Sequence, residues 1–206
     1  LFSRYSKVKG NEKINLNNSN NNVGMYTSAK GTITNNGTIK GIDKTIGIYG
    51  KDKIELGSSS SITVGDSGVA LYSSTGDVKV NPGAKIELIK GGSGSTPADN
   101  ATGVFVDNSR GTASTVNIDV HDLVQSNLGK NSYGYFFKDV NTLNYTNSNG
   151  SNPITLDDGS IFIYSDATNG NVHNAQDLTS VGNGVIGLYQ TGGTITNAGK
   201  LEFNKR

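Results

Sequence analysis

Aliphatic and polar residues alternate in short bursts along this chain, and the bursts return at a fixed interval. Val23-Gly24-Met25-Tyr26, Ile46-Gly47-Ile48-Tyr49 and Val69-Ala70-Leu71-Tyr72 share one pattern, aliphatic–small–aliphatic–aromatic, with their aromatics 23 residues apart. Looser copies follow at Gly103-Val104-Phe105, Gly134-Tyr135-Phe136 and Gly187-Leu188-Tyr189. Ile39, Ile62 and Ile86 form a second column in nearly the same register, and Gly31-Thr32-Ile33-Thr34-Asn35 returns as Gly193-Thr194-Ile195-Thr196-Asn197. Period-two alternation over four or five residues predicts strands. A repeat in the low twenties joins such strands into a solenoid. The expected fold is therefore all-β: a right-handed parallel β-helix of about seven coils of roughly 23 residues, each with three short strands.

Departures from the repeat predict loops. Gly91-Gly92-Ser93-Gly94-Ser95-Thr96-Pro97 does not read as a core strand, and residues 91–101 are expected to be an insertion. Further insertions are expected at 107–114, 121–132 and 166–183. Within each strand, alternation places Ile46 and Ile48 on one face and Gly47 with Tyr49 on the other. Aliphatics inward, matching Ile33 and Ile62, stack Tyr26, Tyr49, Tyr72, Phe105, Phe136 and Tyr189 up one outer face, each beside a small residue. The inverse assignment, with rings filling a wide corner of the core, requires a partner for each phenol and stays open on the sequence alone.

Composition agrees with a solenoid. Only 33% of the 206 residues are hydrophobic, too few for a compact sandwich to offset its ordering entropy. A β-helix core is narrow, and its turns consume Gly and Asn. The net charge of +1, with acids and bases scattered singly, gives nucleic-acid binding no electrostatic support. No apolar run is long enough for a membrane-spanning helix. With no cysteine, disulfide staples and thiolate metal sites are excluded. Repeat pattern reaches both ends, so residues 1–206 are read as one β-helical domain, a segment of a longer chain.

Candidate chemistry is sparse. Gly182-Asn183-Gly184-Val185-Ile186-Gly187 matches a dinucleotide-binding string but runs into a strand where that motif opens a helix. Asp157-Asp158-Gly159, with Asp166 nearby, reads as a turn, and a column of Asp, Lys or Arg at repeat spacing is missing from the sequence. His121 and His173 fall in expected loops without ligand-spaced partners. No metal and no cofactor is expected, and no catalytic residue is assigned. A rigid solenoid projects side chains through loops that depart from its period. The candidate partner-binding residues are therefore Asp99, Asp107, Arg110, His121 and Asp122, on the three middle insertions.

The mixture of Gly-Ile-Tyr-Gly, Gly-Thr-Ile-Thr-Asn-Asn-Gly-Thr-Ile and Lys-Ile-Glu-Leu resembles the passenger repeats of large fusobacterial type V autotransporter adhesins, most clearly over 13–88 and 184–203. The resemblance implies a long β-helical passenger displayed at the cell surface. It implies anchoring in the outer membrane by a C-terminal barrel that these residues do not include. It further implies a protein or glycan receptor on other bacteria or host cells, for coaggregation or attachment, and no enzymatic activity. The alternative is a polysaccharide-processing β-helix, a lyase or glycosidase, which needs a cleft lined by several acidic or basic groups.

Overall fold

The computed structural model describes residues 2–3, 7–16, 21–109, 115–120, 127–147 and 153–203. It is a parallel β-solenoid of about seven coils. The first face is an eight-stranded sheet running from Phe2–Ser3 through Val23–Thr27, Ile46–Gly50, Val69–Ser73, Thr102–Asp107, Tyr133–Lys138 and Ile161–Ser165 to Ile186–Gln190. The second is also eight-stranded, from Lys7–Gly10 to Thr194–Asn197. Among the described residues the third face forms two separate sheets. Four strands, Lys13–Leu16 to Lys85–Leu88, precede the middle insertions, and three, Ile154–Leu156 to Leu201–Phe203, follow them. Leu128, buried and bridged in parallel to Leu156, marks the intervening level.

The core consists of side-chain columns along the axis. On the second face Ile33, Ile54, Val78, Ile118, Tyr145 and Val172 stack in register and are buried. On the third, Ile39, Ile62 and Ile86 do the same. The first face departs from simple alternation. Ala70 and Leu71 are both buried, while Val69 and Tyr72 are half-exposed. The ladder pairs Val69 with Ile46, then Leu71 with Ile48 and Tyr72 with Tyr49, skipping the small residue between. The strand bends there and turns two successive residues inward. The tyrosines do lie outside, but Gly47 and Ala70 face the core and do not make room beside the rings. A Cβ on Gly47 would stand 2.6 Å from the Ala70 carbonyl oxygen and 2.7 Å from Ile62 Cγ2.

Corners are held by three recurring devices. Between first and second faces, a buried hydroxyl caps the turn: Ser73 Oγ accepts the Gly76 N–H at 3.0 Å, and Ser165 Oγ the Ala167 N–H at 3.1 Å. Between second and third faces, a buried asparagine spans the turn. Asn174 Nδ2 donates to the Gln176 carbonyl at 2.9 Å and to Asn197 Oδ1 at 2.8 Å, while its Oδ1 accepts the Gln176 N–H at 3.1 Å. Asn35 grips Gly37 in the same way. Asn174→Leu keeps the volume but strands the Gln176 backbone groups, so urea unfolding should show a loss of about 2 kcal/mol.

The third device, between third and first faces, is an aspartate ladder. Asp43 Oδ1 accepts the Asp66 N–H (2.9 Å), Asp66 Oδ1 the Asp99 N–H (2.9 Å), and Asp99 Oδ1 the Lys130 N–H (2.8 Å). Asp158 Oδ1 accepts the Asn183 N–H at 2.8 Å one coil further on. A column of acids at coil spacing therefore exists, contrary to the expectation from sequence; insertions disguise its period. The next residue is left-handed each time: Lys44 (φ 56°), Ser67 (57°), Asn100 (55°), Asn131 (52°) and Gly159 (65°). A side chain is disfavoured in that conformation. Ser67→Gly should consequently raise the unfolding free energy by about 0.5 kcal/mol, after the entropy that glycine adds to the unfolded chain.

Residues 166–183 are not an insertion. Asn169–Asn174 and Leu178–Ser180 are strands in the second and third faces. Polar Asn-Gly-Asn-Val-His-Asn becomes strand because parallel neighbours, Thr142–Asn147 below and Thr194–Asn197 above, supply its hydrogen bonds. Beneath it the core turns aromatic: Tyr135, Phe137, Tyr145 and Phe162 are fully buried, with Tyr135–Tyr145 centroids 5.0 Å apart and Tyr135–Phe162 5.7 Å. Neither phenolic hydroxyl in this cluster makes a hydrogen bond of good geometry, although the two hydroxyls and Asn147 lie close enough to interact; burial dominates and pushes both phenols well above the ordinary tyrosine range. Their protonated forms favour folding up to about pH 10, where the unfolded phenols ionise, and the advantage is lost as pH rises through the folded values. Tyr145→Phe should leave neutral-pH stability unchanged or slightly higher, and alkaline unfolding followed by circular dichroism should begin at higher pH.

Candidate functional site

The outer side of the first face carries an aromatic ladder. Tyr26, Tyr49 and Tyr72 stack with centroids 5.1 and 4.9 Å apart and ring planes within 19°. Phe136, Tyr164 and Tyr189 form a second stack, at 4.9 and 5.2 Å. Between them Phe105 is turned edge-on, at 78° to Tyr72 and 71° to Phe136. Tyr164 is absent from the column expected from sequence, although Ile161-Phe162-Ile163-Tyr164 follows the motif. Phe162 in place of the small residue hides the match.

Of the candidate partner-binding residues, the two that are described, Asp99 and Asp107, lie at opposite edges of the first face. Asp99 sits in the aspartate ladder before the strand Thr102–Asp107, and Asp107 ends that strand, at its opposite edge. Arg110, His121 and Asp122 lie outside the described residues. At the first edge, Lys90 Nζ lies 3.6 Å from Asp66 and 3.5 Å from Asp99. The Asp66 carboxylate, then Asp99, holds the ammonium above the ordinary lysine range. At the second edge, Asp107 Oδ2 accepts the Tyr72 hydroxyl at 3.3 Å and Oδ1 the Ser109 N–H at 3.1 Å. Partial burial pushes this carboxyl up, but the Ser109 bonds, the Lys138 charge and the Tyr72 hydroxyl outweigh it, leaving Asp107 below the ordinary range.

Where the lower sheet of the third face ends, residues 89–97 fold back through an antiparallel bridge between Ile89 and Pro97. The Lys90 N–H donates to Thr96 O at 2.9 Å, and the Ala98 N–H to Leu88 O at 3.0 Å, pinning the loop at both ends. Between this loop and Asn127 lies an open groove of about 280 Å³, lined by Glu87, Ile89, Gly94, Ser95, Pro97 and Asn127. Nothing in the sequence paired Glu87 with Asn127; coil stacking brings them together. None of the ladder aspartates lines this groove; each directs Oδ1 to a backbone N–H of the next coil. Among the described residues no group of three or more His, Cys, Asp or Glu is placed to hold a metal ion.

The fold and these surfaces define a parallel β-solenoid with an external aromatic ladder. No family model, curated protein or solved structure matches the chain.

Proposed function

We propose that this chain is a rigid segment of a surface adhesin passenger, and that it contacts its receptor through the groove beside the 89–97 loop. The observation that carries the reading is the position of this groove. It opens where the lower sheet of the third face ends, on a loop anchored at both ends to a scaffold whose other two faces run through without interruption. Such an arrangement presents a preformed surface at little ordering cost. Its lining offers backbone groups, Ser95, Asn127 and the Glu87 carboxylate for hydrogen bonding, with Ile89 and Pro97 as apolar contact. That mixture suits a glycan or a short polar peptide. The cell-surface location and the attachment role rest on the resemblance of the repeats.

Labelled chain applied to glycan arrays and partner cells tests the reading, against a variant in which residues 91–96 are replaced by a two-glycine link. Binding by the parent chain and a loss of tenfold or more in the variant, with unchanged circular dichroism, is the expected result. Equal binding by both removes the groove from the account, and turnover of a polysaccharide by the parent chain replaces adhesion with catalysis.

A further inference from the structure

The outer side of the first face carries two apolar columns. Beside the aromatic ladder runs a column in the register Val23, Ile46, Val69, Thr102, Tyr133, Ile161 and Ile186. All but Thr102 are apolar or aromatic. Their exposure ranges from half-buried to 41% for Val23 and 42% for Tyr189. No described element covers the stripe. A five-residue strand spans about 16 Å and seven levels about 34 Å, so the stripe measures about 500 Å². A contiguous apolar patch of that size is at the scale of the largest on a typical monomer, and such patches are often functional.

We infer that this stripe is the interface of a parallel homodimer, occupied by the same stripe of a second copy. Three observations select that occupant. The first is period. The rings repeat every 4.9–5.2 Å, and another stack of parallel strands presents apolar groups at this spacing over the same length. The second is shape. The aromatic column is a ridge, and the column beside it is mostly shorter aliphatic side chains. A two-fold axis along the rod sets Tyr49 of one copy against Ile46 of the other, Tyr72 against Val69 and Tyr164 against Ile161, level by level. An antiparallel pair would instead set ridge against ridge and hold the sheets apart. The third is area. Two stripes bury about 1,000 Å² in total, the lower bound for a specific interface, and the net charge of +1 opposes association little. The dimer is accordingly weak, with a dissociation constant in the micromolar range.

The stacked rings also argue against a sugar on this surface. Ring faces are covered by neighbouring rings within each stack, so most of the ladder presents edges outward. This inference does not depend on the adhesive reading, which uses the third face.

Sedimentation velocity of the intact chain over a wide concentration range tests it. A monomer–dimer equilibrium is expected, and Tyr49→Lys combined with Ile161→Lys should raise the dissociation constant at least tenfold while circular dichroism is unchanged. Should the lysine pair disturb folding, Tyr49→Thr with Tyr72→Thr keeps strand-compatible residues and should weaken the dimer in the same direction. Orientation is read by disulfide trapping, which the absence of native cysteine makes clean. Tyr49→Cys chains mixed with Ile46→Cys chains should cross-link, and Tyr49→Cys chains mixed with Tyr164→Cys chains, which an antiparallel pair would bring together, should not. A monomer at every concentration, a dimer indifferent to the stripe variants, or the reverse cross-linking pattern overturns the proposal. So does a monomer whose stripe variants lose cell binding, since the occupant is then a receptor.

Discussion

Phe162→Ala should lower the unfolding free energy by about 3–5 kcal/mol, the range for truncating a fully buried aromatic. Phe162 is wholly buried and occupies the inward position that Gly47, Ala70 and Gly134 hold in other coils. Its ring packs on Tyr135 at 5.7 Å within the aromatic part of the core. Collapse around the void is restrained, because the coils above and below are tied by parallel ladders on the first face. A Cβ on Gly134 would meet Phe162 twice, 2.7 Å from its carbonyl oxygen and 2.9 Å from Cδ2, and only the second contact is relieved when the ring is removed. Gly134→Ala alone should therefore destabilise, and should cost less when Phe162 is already alanine. That coupling, measured in a double-mutant cycle by urea unfolding, distinguishes a shared cavity from two independent losses.

Gly47→Val should lose about 3 kcal/mol, at the upper end for overpacking. The obstacle is partly backbone: the added Cβ meets the Ala70 carbonyl oxygen in the coil above as well as the Ile62 methyl. A side chain can rotate away, whereas that carbonyl belongs to the adjoining strand. The loss should appear first as local opening, since coils in a solenoid are stabilised chiefly by their neighbours. Hydrogen exchange should show faster exchange in the strands Ile46–Gly50 and Val69–Ser73 than in Asn169–Asn174. Uniform acceleration along the chain would instead indicate one cooperative unit.

Much of this fold was legible because it repeats. The ring column, the inward Ile39–Ile62–Ile86 column and the three-strand coil each follow from alternation and spacing, whereas the side on which the rings lie was left open by the sequence. What escaped depends on neighbours more than on local pattern. Asn169–Asn174 has one aliphatic residue in six positions and is strand because flanking strands pair with it. The inward turn of Gly47 and Ala70 arises from a bend that simple alternation does not encode. The aspartate ladder was hidden by arithmetic, since its bonded members are 23, 33 and 31 residues apart. For the candidate site, Asp99 and Asp107 were recognisable as loop-associated residues, but the strand that separates them placed them on opposite edges.

The claim on which the rest depends is that coil register survives the middle insertions, so that the strands Thr115–Val120 and Thr142–Asn147 stack residue for residue. Asp119 and Thr146 are register partners across that interruption and point outward, where substitution leaves the core intact. Register partners on neighbouring parallel strands lie about 4.8 Å apart, within the span a disulfide accepts. Asp119→Cys with Thr146→Cys, oxidised and mapped by peptide mass spectrometry, should form an intramolecular disulfide in nearly every molecule. Asp119→Cys with Asn144→Cys, two residues out of register, should stay largely reduced. Efficient closure of the second pair, or failure of the first in a folded chain, would contradict the account.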